Sequence, residues 1–208
     1  MISNINMVLR KMLITICNFQ KTAYHHYGKN HLSILKLIYY SFIRINTFYV
    51  YENDLTRALP PHNLDEYYRI ERPSLEKLNR IRHGMNLPRE FYYDQIYKLR
   101  TFYLVLKSNE LAKIYWVLFK GDFNRFLVLT DGVAELNYNT TLAKFRGDQL
   151  MAKMMAYISL DLQKQGFRKA VGVINEFNYP AIKSIEKAGF KRVATIKSLG
   201  PFNRRMKI

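Results

Sequence analysis

The chain is poor in cysteine, and its single one, Cys17, rules out a disulfide within the chain. So low a cysteine content is typical of proteins from a reducing compartment, and the sequence predicts a cytoplasmic protein. The apolar run 12–17 is short and no small-residue cleavage site follows it, so we predict no secretory signal. Internal repeats and low-complexity linkers are missing too. Hydrophobic residues make up 49% of the 208 residues, which excludes a disordered chain and predicts a globular fold.

Acidic residues are also scarce, and residues 1–50 contain none. The same stretch carries six Lys or Arg residues, and the formal net charge of the whole chain is +17. Such a surplus favours anionic partners, namely nucleic acid, an anionic membrane surface or a phosphorylated ligand. A solvated basic surface without a partner is the alternative, and it stays open. Because the chain has no zinc knuckle, RNA-recognition consensus or repeated Arg-Gly tract, nucleic acid is the least favoured partner.

A metal-binding pattern is absent from the sequence as well. His25, His26 and His31 have no cysteine or acidic residue near them at the spacing that metal ligands need. We therefore predict no metal site, and we interpret the three histidines as part of a basic N-terminal segment.

This N-terminal segment contains one amphipathic stretch, 31–46, whose apolar residues fall on one stripe and predict a helix. Lys36 and Arg44 would each cost about 2.5–3.5 kcal/mol within a bilayer, so we predict no transmembrane span. The helix either packs its stripe against the rest of the protein, which is the commoner outcome, or lies in a membrane interface. Both alternatives stay open. The stripe comprises Ile34, Leu35, Ile38, Phe42 and Ile45.

Pro60 and Pro61 mark a boundary, because consecutive prolines end regular structure. We predict a basic N-terminal extension over 1–60 and one domain over 61–208. Within that domain, hydrophobic periodicity and turn residues predict the element order of a mixed α/β sheet. The predicted elements are a strand at 67–71, helices at 74–83 and 88–99, a hairpin of 101–107 and 111–119, a strand at 133–142, a helix ending near 165, a strand at 169–174, a helix from 178 and a strand from 190.

The stretch 145–151 is the most informative part of the chain, because it lies between a predicted strand and a predicted helix. A turn built on Arg146 and Gly147 leaves the first N–H groups of the helix without intrahelical partners. These donors and the positive end of the helix dipole form a site for an anion such as phosphate. Arg146 is a candidate phosphate ligand, with a surface carboxylate as its alternative partner.

This turn and the helix that begins near 178 resemble the signature of the GNAT (Gcn5-related) N-acetyltransferases. Arg146 and Gly147 match the start of that signature, and Asn178 matches the Asn that precedes its second helix. The resemblance is clear over 133–196, whereas over 67–119 only the order of elements fits. The closing Glu-Lys-x-Gly-Phe run of the signature is matched by Glu186, Lys187, Gly189 and Phe190.

The resemblance implies an α/β fold with a mixed, mostly antiparallel central sheet, a splayed pair of parallel strands and flanking helices. The N-terminal amphipathic helix is an extension of that fold. Acetyl-CoA is the implied acyl donor, with its diphosphate on the turn and its pantetheine arm between the splayed strands. Judged by residue type alone, however, 138–141 are an ordinary strand. The implied cofactor-binding residues are Tyr138, Asn139, Thr140, Thr141, Arg146, Gly147, Asp148, Gln149, Leu150, Met151 and Asn178.

Glu135 is the candidate catalytic base, because it lies alone in an apolar strand where burial would raise its pKa. A carboxylate on the exposed face of the strand is the alternative, and the sequence leaves both equally open. Two features depart from the GNAT pattern. Gln149 and Met151 occupy the second and third glycine positions of the turn, and the tyrosine that usually serves as acid is replaced at Ile185 and Glu186.

We therefore expect an N-acyltransferase that moves acetyl, or a related acyl group, from coenzyme A to an amine. The second half of the chain resembles bacterial members linked to polysaccharide or amino-sugar modification, which implies an amino sugar as acceptor, with a peptide or protein amine as the alternative. Two alternatives from other classes are an inactive scaffold of the same fold and a peripheral binder of membranes or nucleic acid. Contact with an anionic membrane and a homodimer that shares its last strand are further expectations.

Overall fold

The computed structural model describes residues 20, 23–24, 30, 32–39, 43–59, 66–200 and 204–208. The chain divides into two compact units. The larger unit comprises Thr47–Ile196 and Arg204–Ile208, and the smaller comprises Met1–Asn46 and Lys197–Asn203. The predicted boundary at the two prolines lies outside the described residues, so the division into 1–60 and 61–208 stays a prediction.

Helices and strands alternate within 133–199, whereas the strands within 101–141 follow one another without a helix between them. Within the described chain, none of the helices has the length and apolar character that crossing a membrane requires. In chain order the elements are α1 (Leu32–Ile38), β1 (Ile45–Asp54), β2 (Tyr68–Glu71), α2 (Leu75–Arg82), a 3₁₀ turn (Arg89–Tyr92) that continues into α3 (Tyr93–Tyr97), β3 (Thr101–Lys107), β4 (Glu110–Leu118), β5 (Leu127–Val128), β6 (Val133–Thr141), a 3₁₀ turn (Ala143–Phe145), α4 (Leu150–Lys164), β7 (Lys169–Asn175), α5 (Tyr179–Lys187), β8 (Lys191–Leu199) and β9 (Met206–Lys207).

In the described part of the chain, seven strands form one sheet in the order β2-β3-β4-β6-β7-β1-β8. Neighbours run antiparallel from β2 to β6 and again between β7 and β1, whereas β6 and β7 are parallel. β5 and β9 pair in parallel as a second, small sheet. The predicted mixed, mostly antiparallel sheet with flanking helices is confirmed.

The core forms one hydrophobic cluster on each face of the large sheet. Alternate residues of β3 show this division, because Tyr103 and Val105 belong to one cluster and Leu104 to the other. On the first face, α4 and α5 bury apolar residues that recur every three or four positions, as expected of amphipathic helices. These residues are Leu150, Met154, Met155, Ile158, Leu162, Ala181 and Ile185.

The hairpin of β3 and β4 is confirmed, and its turn has a clear local cause. Ser108 and Asn109 have φ angles of 47° and 66°, as a two-residue turn between twisted antiparallel strands requires. The helix predicted at 88–99 is shorter than expected, because Lys98 adopts a left-handed conformation that ends α3.

Strand β1 is the main departure from the sequence prediction. The helix predicted for 31–46 is too long at its end, because β1 begins at Ile45. The α-helical part ends at Ile38, and Tyr39 and Ile43 are in π-helical conformation. Residues 45–51 are rich in β-branched and aromatic side chains, which favour a strand. Residues 48–54 pair with 169–175 of β7, which places β1 between β7 and the edge strand β8. Phe42, which belonged to the predicted stripe, lies outside the described residues.

Candidate active site

Strands β6 and β7 are paired only over their first residues. The pairing joins 133–135 to 169–171, although β6 continues to Thr141 and β7 to Asn175. Beyond the paired part the strands separate, and a cavity of about 200 Å³ is lined by 136–139 of β6 and 173–175 of β7. The sheet therefore contains the splayed parallel pair that the GNAT resemblance implies.

Tyr138 is the extra residue of a β-bulge in β6. Trp116 and Tyr115 are neighbours in β4 but oppose Asn137 and Asn139, so Tyr138 has no partner across the pair. Its φ of 49° lies in the left-handed region. Its backbone N–H donates to Asn137 Oδ1 over 2.7 Å instead of to a neighbouring strand. The bulge thus removes one backbone donor from the sheet ladder at a residue that lines the cavity.

Glu135 lies two residues before the bulge and is completely buried. Burial raises its pKa to about 7, and hydrogen bonds from Asn137 and Asn124 oppose that rise. Asn137 Nδ2 donates to Glu135 Oε1 over 2.7 Å, and Asn124 Nδ2 donates to Oε2. The exposed alternative for this carboxylate is therefore wrong. Glu135 is not part of the cavity wall, but its partner Asn137 is.

The side-chain carboxamide of Asn137 links the Glu135 carboxylate to the backbone N–H of Tyr138. Its oxygen accepts from the Tyr138 N–H and its nitrogen donates to Glu135. Asn124 holds the other side of Glu135, and its own oxygen accepts from the N–H groups of Phe126 and Leu127 over 3.0 and 2.9 Å. Neither asparagine was predicted as a site residue, because nothing in the sequence indicates that their side chains bind Glu135.

A second cavity, of about 390 Å³, is lined by the N-terminal end of α4. It shares Asn139, Met151, Asn178 and Ala181 with the 200 Å³ cavity, so the two adjoin. The turn within 145–151 that is predicted to bind phosphate, called the phosphate turn below, forms part of its wall. Tyr138 lines the smaller cavity, and the predicted residues that line the larger one are Asn139, Thr141, Arg146, Gly147, Gln149, Leu150, Met151 and Asn178.

Thr140 and Asp148 line neither of these two cavities. Because side chains alternate along a strand, Thr140 faces the side of the sheet opposite to its neighbours Asn139 and Thr141. Asp148 accepts a hydrogen bond from the Tyr68 hydroxyl, which holds the pKa of this carboxyl below its usual value. The structure thus brings together most of the predicted cofactor-binding side chains but not these two.

Gly147 and Gln149 give the phosphate turn its shape. Their φ angles are 101° and 54°, a region that glycine adopts freely and that costs another residue roughly 1–2 kcal/mol. Gln149 precedes α4 without making a side-chain capping bond, and its Oε1 accepts from Lys187 Nζ instead. The first turn of α4 therefore has no side-chain cap, which is the arrangement that an anion site needs.

Lys113 is a site residue that was not predicted from the sequence. It lies in β4 opposite Thr141, and only 1% of its surface is exposed. Its Nζ donates to Asn139 Oδ1 over 2.6 Å and to Thr141 Oγ1 over 3.1 Å. Burial lowers its pKa to about 7. A lone lysine between the apolar residues of 111–118 was a visible signal in the sequence.

Helix α5 contributes residues to the walls of both cavities on the side of β7. Asn178 Oδ1 accepts from the Ala181 N–H over 3.4 Å, so Asn178 caps the helix while it lines both cavities. Ile185, at the place of the missing tyrosine, is buried and lines the smaller cavity. A Cβ on Gly172 would lie 2.8 Å from Ile185 Cδ1, so a larger residue in β7 would require the Ile185 side chain to shift.

Three tyrosines, Tyr93, Tyr115 and Tyr138, line the smaller cavity. Burial raises the pKa of each, that of Tyr138 to about 12, so all three keep their protons at neutral pH. Tyr115 is fully buried, and the neighbouring Glu135 carboxylate adds to its pKa shift. The cavity lining thus contains three neutral phenol side chains, whereas Ile185 contributes none.

An aromatic row extends from the smaller cavity. Ring centroids are 5.0 Å apart for Tyr93 and Tyr138, 5.6 Å for Tyr138 and Tyr97, and 5.5 Å for Tyr97 and Phe123. Guanidinium groups lie over this row, with Arg89 Cζ 6.0 Å from the Tyr97 centroid and Arg205 Cζ 5.9 Å from the Phe123 centroid. The row is thus bordered by exposed positive charge beside the cavity.

Comparisons with known proteins agree with this fold. No family model and no curated protein matches the sequence. An acetyltransferase of the GNAT family from Novosphingobium aromaticivorans is 15% identical, with a TM-score of 0.53 over 74% of this chain and 63% of that chain. A GCN5-related N-acetyltransferase from Sphaerobacter thermophilus is 11% identical, with a TM-score of 0.51 over 86% of this chain and 59% of that chain.

A GNAT acetyltransferase from Colwellia psychrerythraea is 15% identical, with a TM-score of 0.51 over 89% of this chain and 71% of that chain. Identities this low show similarity of fold alone. The chain spans less than two thirds of the Novosphingobium and Sphaerobacter structures. The molecule therefore has the fold of GNAT acetyltransferases.

Proposed function

We propose that this chain is an acyl-CoA-dependent N-acyltransferase that moves acetyl, or a related acyl group, to an amine. Acetyl-CoA, when bound, supplies an acyl group that is activated as a thioester. The observation that carries the proposal is the set of hydrogen bonds that Asn137 makes with Glu135 and Tyr138 at the gap between β6 and β7.

The side chain of Asn137 has the chemical form of the product of such a reaction. Both are amides, with a carbonyl oxygen and an N–H group on one carbon. The Asn137 oxygen accepts from the Tyr138 N–H over 2.7 Å, and its nitrogen donates to Glu135 over 2.7 Å. A product amide held by the same groups would have its oxygen at a backbone donor and its nitrogen at a base. Acyl transfer to an amine uses those two contacts.

In the proposed mechanism Glu135 removes a proton from the acceptor ammonium, and its pKa of about 7 suits a base at neutral pH. The Tyr138 N–H stabilises the negative charge that develops on the acyl oxygen. Asn137 must first turn away, so that both groups become available. The departing thiolate would take up the second proton, which the acceptor nitrogen loses as the amide forms. Tyr93 or Tyr115, which belong to the cavity lining, would relay that proton and recover their own.

We propose that the larger cavity binds the diphosphate of coenzyme A and that the smaller one receives the end of the pantetheine arm. The uncapped first turn of α4, the left-handed turn at Gly147 and the Arg146 guanidinium at the cavity wall support this orientation. Thr140 and Asp148 would contribute backbone groups only. The other proposed ligands are Tyr138, Asn139, Thr141, Gln149, Leu150, Met151 and Asn178.

We further propose an amino sugar that carries a phosphate group as the acceptor. Aromatic rings bind the apolar face of sugars, and the row from Tyr93 to Phe123 begins at the smaller cavity. Arginine is the side chain best suited to phosphate, and Arg89 and Arg205 border that row.

The test is release of free thiol from acetyl-CoA with glucosamine, glucosamine 6-phosphate and a lysine-containing peptide as acceptors. We expect release only in the presence of protein and amine, and fastest with the phosphorylated sugar. Binding of coenzyme A without release from any acceptor would favour the inactive scaffold. Absence of coenzyme A binding at millimolar ligand would refute the proposed function.

A further inference from the structure

We propose that Lys113 is a cofactor-binding residue that supplies the buried positive charge for the diphosphate of coenzyme A. The inference rests on the proposed function, because it names a ligand in the same cavity. No motif of the sequence points to this residue, and it lies in β4, two strands away from β7 and outside the phosphate turn.

The fold gains little from this lysine. Lys113 is 1% exposed, and its hydrogen-bond partners are the neutral side chains of Asn139 and Thr141. Among the described residues, no carboxylate pairs with it, and desolvation is the cause of its lowered pKa. Burying an ammonium group without a counter-charge is unfavourable, and an apolar residue of similar shape is often as stable or more stable.

Lys113 lines the larger cavity together with the phosphate turn, and among the described residues of this lining none is acidic. Its charged residues are Lys113 and Arg146, from β4 and from the turn. A diphosphate bound to the first turn of α4 would therefore meet one cation inside the cavity and one at the turn. Hydrogen bonds between such charged partners are the strong ones.

The protonation state of Lys113 should respond to a bound anion. With its pKa near 7, Lys113 is partly neutral at pH 7.5, which lowers the cost of its burial while no ligand is bound. Nearby titratable groups are the Tyr115 ring, whose centroid lies 5.5 Å from Nζ, and Arg146 across the cavity. An anion beside Nζ favours the charged form, so binding of coenzyme A should take up a proton above about pH 7.

The experiment is titration calorimetry of the full chain with coenzyme A at pH 8, in buffers that differ in ionisation enthalpy. The variants are Lys113→Met and, as a matched control, Lys144→Met, which removes an exposed lysine near the same turn. We expect the wild type to take up a proton on binding. Lys113→Met should bind about tenfold to a hundredfold more weakly without proton uptake, as loss of a charged hydrogen bond predicts. Lys144→Met should bind like the wild type.

A second ligand, pantetheine, separates the role of Lys113 from damage to the cavity, because it lacks the diphosphate. Pantetheine should bind equally to the wild type and to Lys113→Met, and thermal melting should show that the variant remains folded. Equal coenzyme A affinity of wild type and Lys113→Met would overturn the inference while leaving the proposed function intact. Equal weakening for both ligands would overturn it as well. Failure of the wild type to bind coenzyme A would instead refute the proposed function.

Discussion

Two parts of the larger unit bury ionisable groups in opposite ways. Between α2 and α3, Arg82 donates to the two Asp94 oxygens over 2.8 and 2.9 Å and to the Phe91 carbonyl over 3.0 Å. Around the cavities, Lys113 and Glu135 are buried just as deeply, but their described hydrogen-bond partners are neutral.

The difference separates stability from function. A buried ion pair with satisfied hydrogen bonds fixes local structure, and removal of one partner leaves an uncompensated charge. A buried group with neutral partners is shifted toward neutrality and remains able to gain or lose a proton near pH 7. We therefore expect changes between α2 and α3 to alter stability, and changes around the cavities to alter ligand binding and catalysis.

The largest effect is expected from Glu135→Gln, which removes the proposed base from the cavity region. Loss of a general base predicts a decrease in the transfer rate of about 10²–10⁴-fold, measured as thiol release from acetyl-CoA. Glu110→Gln, which changes an exposed carboxylate paired with Lys144, should keep the wild-type rate. A folded Glu135→Gln protein with the wild-type rate would show that Glu135 is not the base.

Asp94→Ala tests the paired region. It leaves Arg82 buried without its counter-charge and should lower the free energy of unfolding by about 3–5 kcal/mol, as measured by chemical denaturation. The matched change Asp131→Ala breaks an exposed pair with Lys120 and should cost less than about 1 kcal/mol. An equally small loss of unfolding free energy in both variants would show that the buried Arg82–Asp94 pair is no more important for stability than an exposed pair.

The pH dependence of the unfolding free energy should report the buried Glu135 and Lys113 separately. Burial raises the pKa of Glu135 from its ordinary value of 4.5 to about 7 in the folded protein. The stability that Glu135 contributes is therefore lost as the pH rises from 4.5 to 7, where the unfolded chain releases this proton first. Burial lowers the pKa of Lys113 from 10.5 to about 7, so the unfolded chain binds more protons above pH 7 and stability increases again.

We therefore expect a minimum in the unfolding free energy near pH 7, measured without ligand between pH 5 and 9. Glu135→Gln should flatten the acid side of this minimum and Lys113→Met the alkaline side. An unchanged profile in both variants would contradict the pKa shifts of the two groups.

The smallest effect is expected from two helix caps. Asn178→Ala removes the cap of α5 in the cavity wall, and Ser74→Ala removes the cap of α2, whose Oγ accepts from the Lys77 N–H over 3.2 Å. Each should cost about 1 kcal/mol of stability in thermal or chemical unfolding. Only Asn178→Ala should also weaken binding of coenzyme A. Equal binding by both variants would show that Asn178 does not contact the ligand.

Local patterns in the sequence predicted much of this architecture. The phosphate turn, α4, β7 and α5 follow one another within 145–190, where glycines, caps and apolar periodicity indicate each boundary. Strand β1 was missed although 45–51 favour a strand, because the preceding apolar stripe predicted a helix up to 46. Its partner in β7 lies more than 100 residues away, so the pairing itself could not be read from the sequence.

In the candidate site, too, the residues whose roles depend on contacts between distant strands were not predicted from the sequence. Gly147 and Asn178 are visible in the sequence because their roles depend on nearby backbone. Lys113 was visible as a lone charge in an apolar strand but became a site residue only when the sheet placed it opposite Thr141. The contact of Asn137 with both Glu135 and the Tyr138 N–H depends on a β-bulge whose position no turn residue marks.

The most direct test is an NMR titration of the isotope-labelled protein with coenzyme A, which follows the backbone amide signals. The account predicts saturable shifts of the amides of Tyr138 and of 147–151, with smaller changes at Ser74 and Arg82. Unchanged amides in these segments at millimolar coenzyme A, or shifts confined to other parts of the chain, would contradict it.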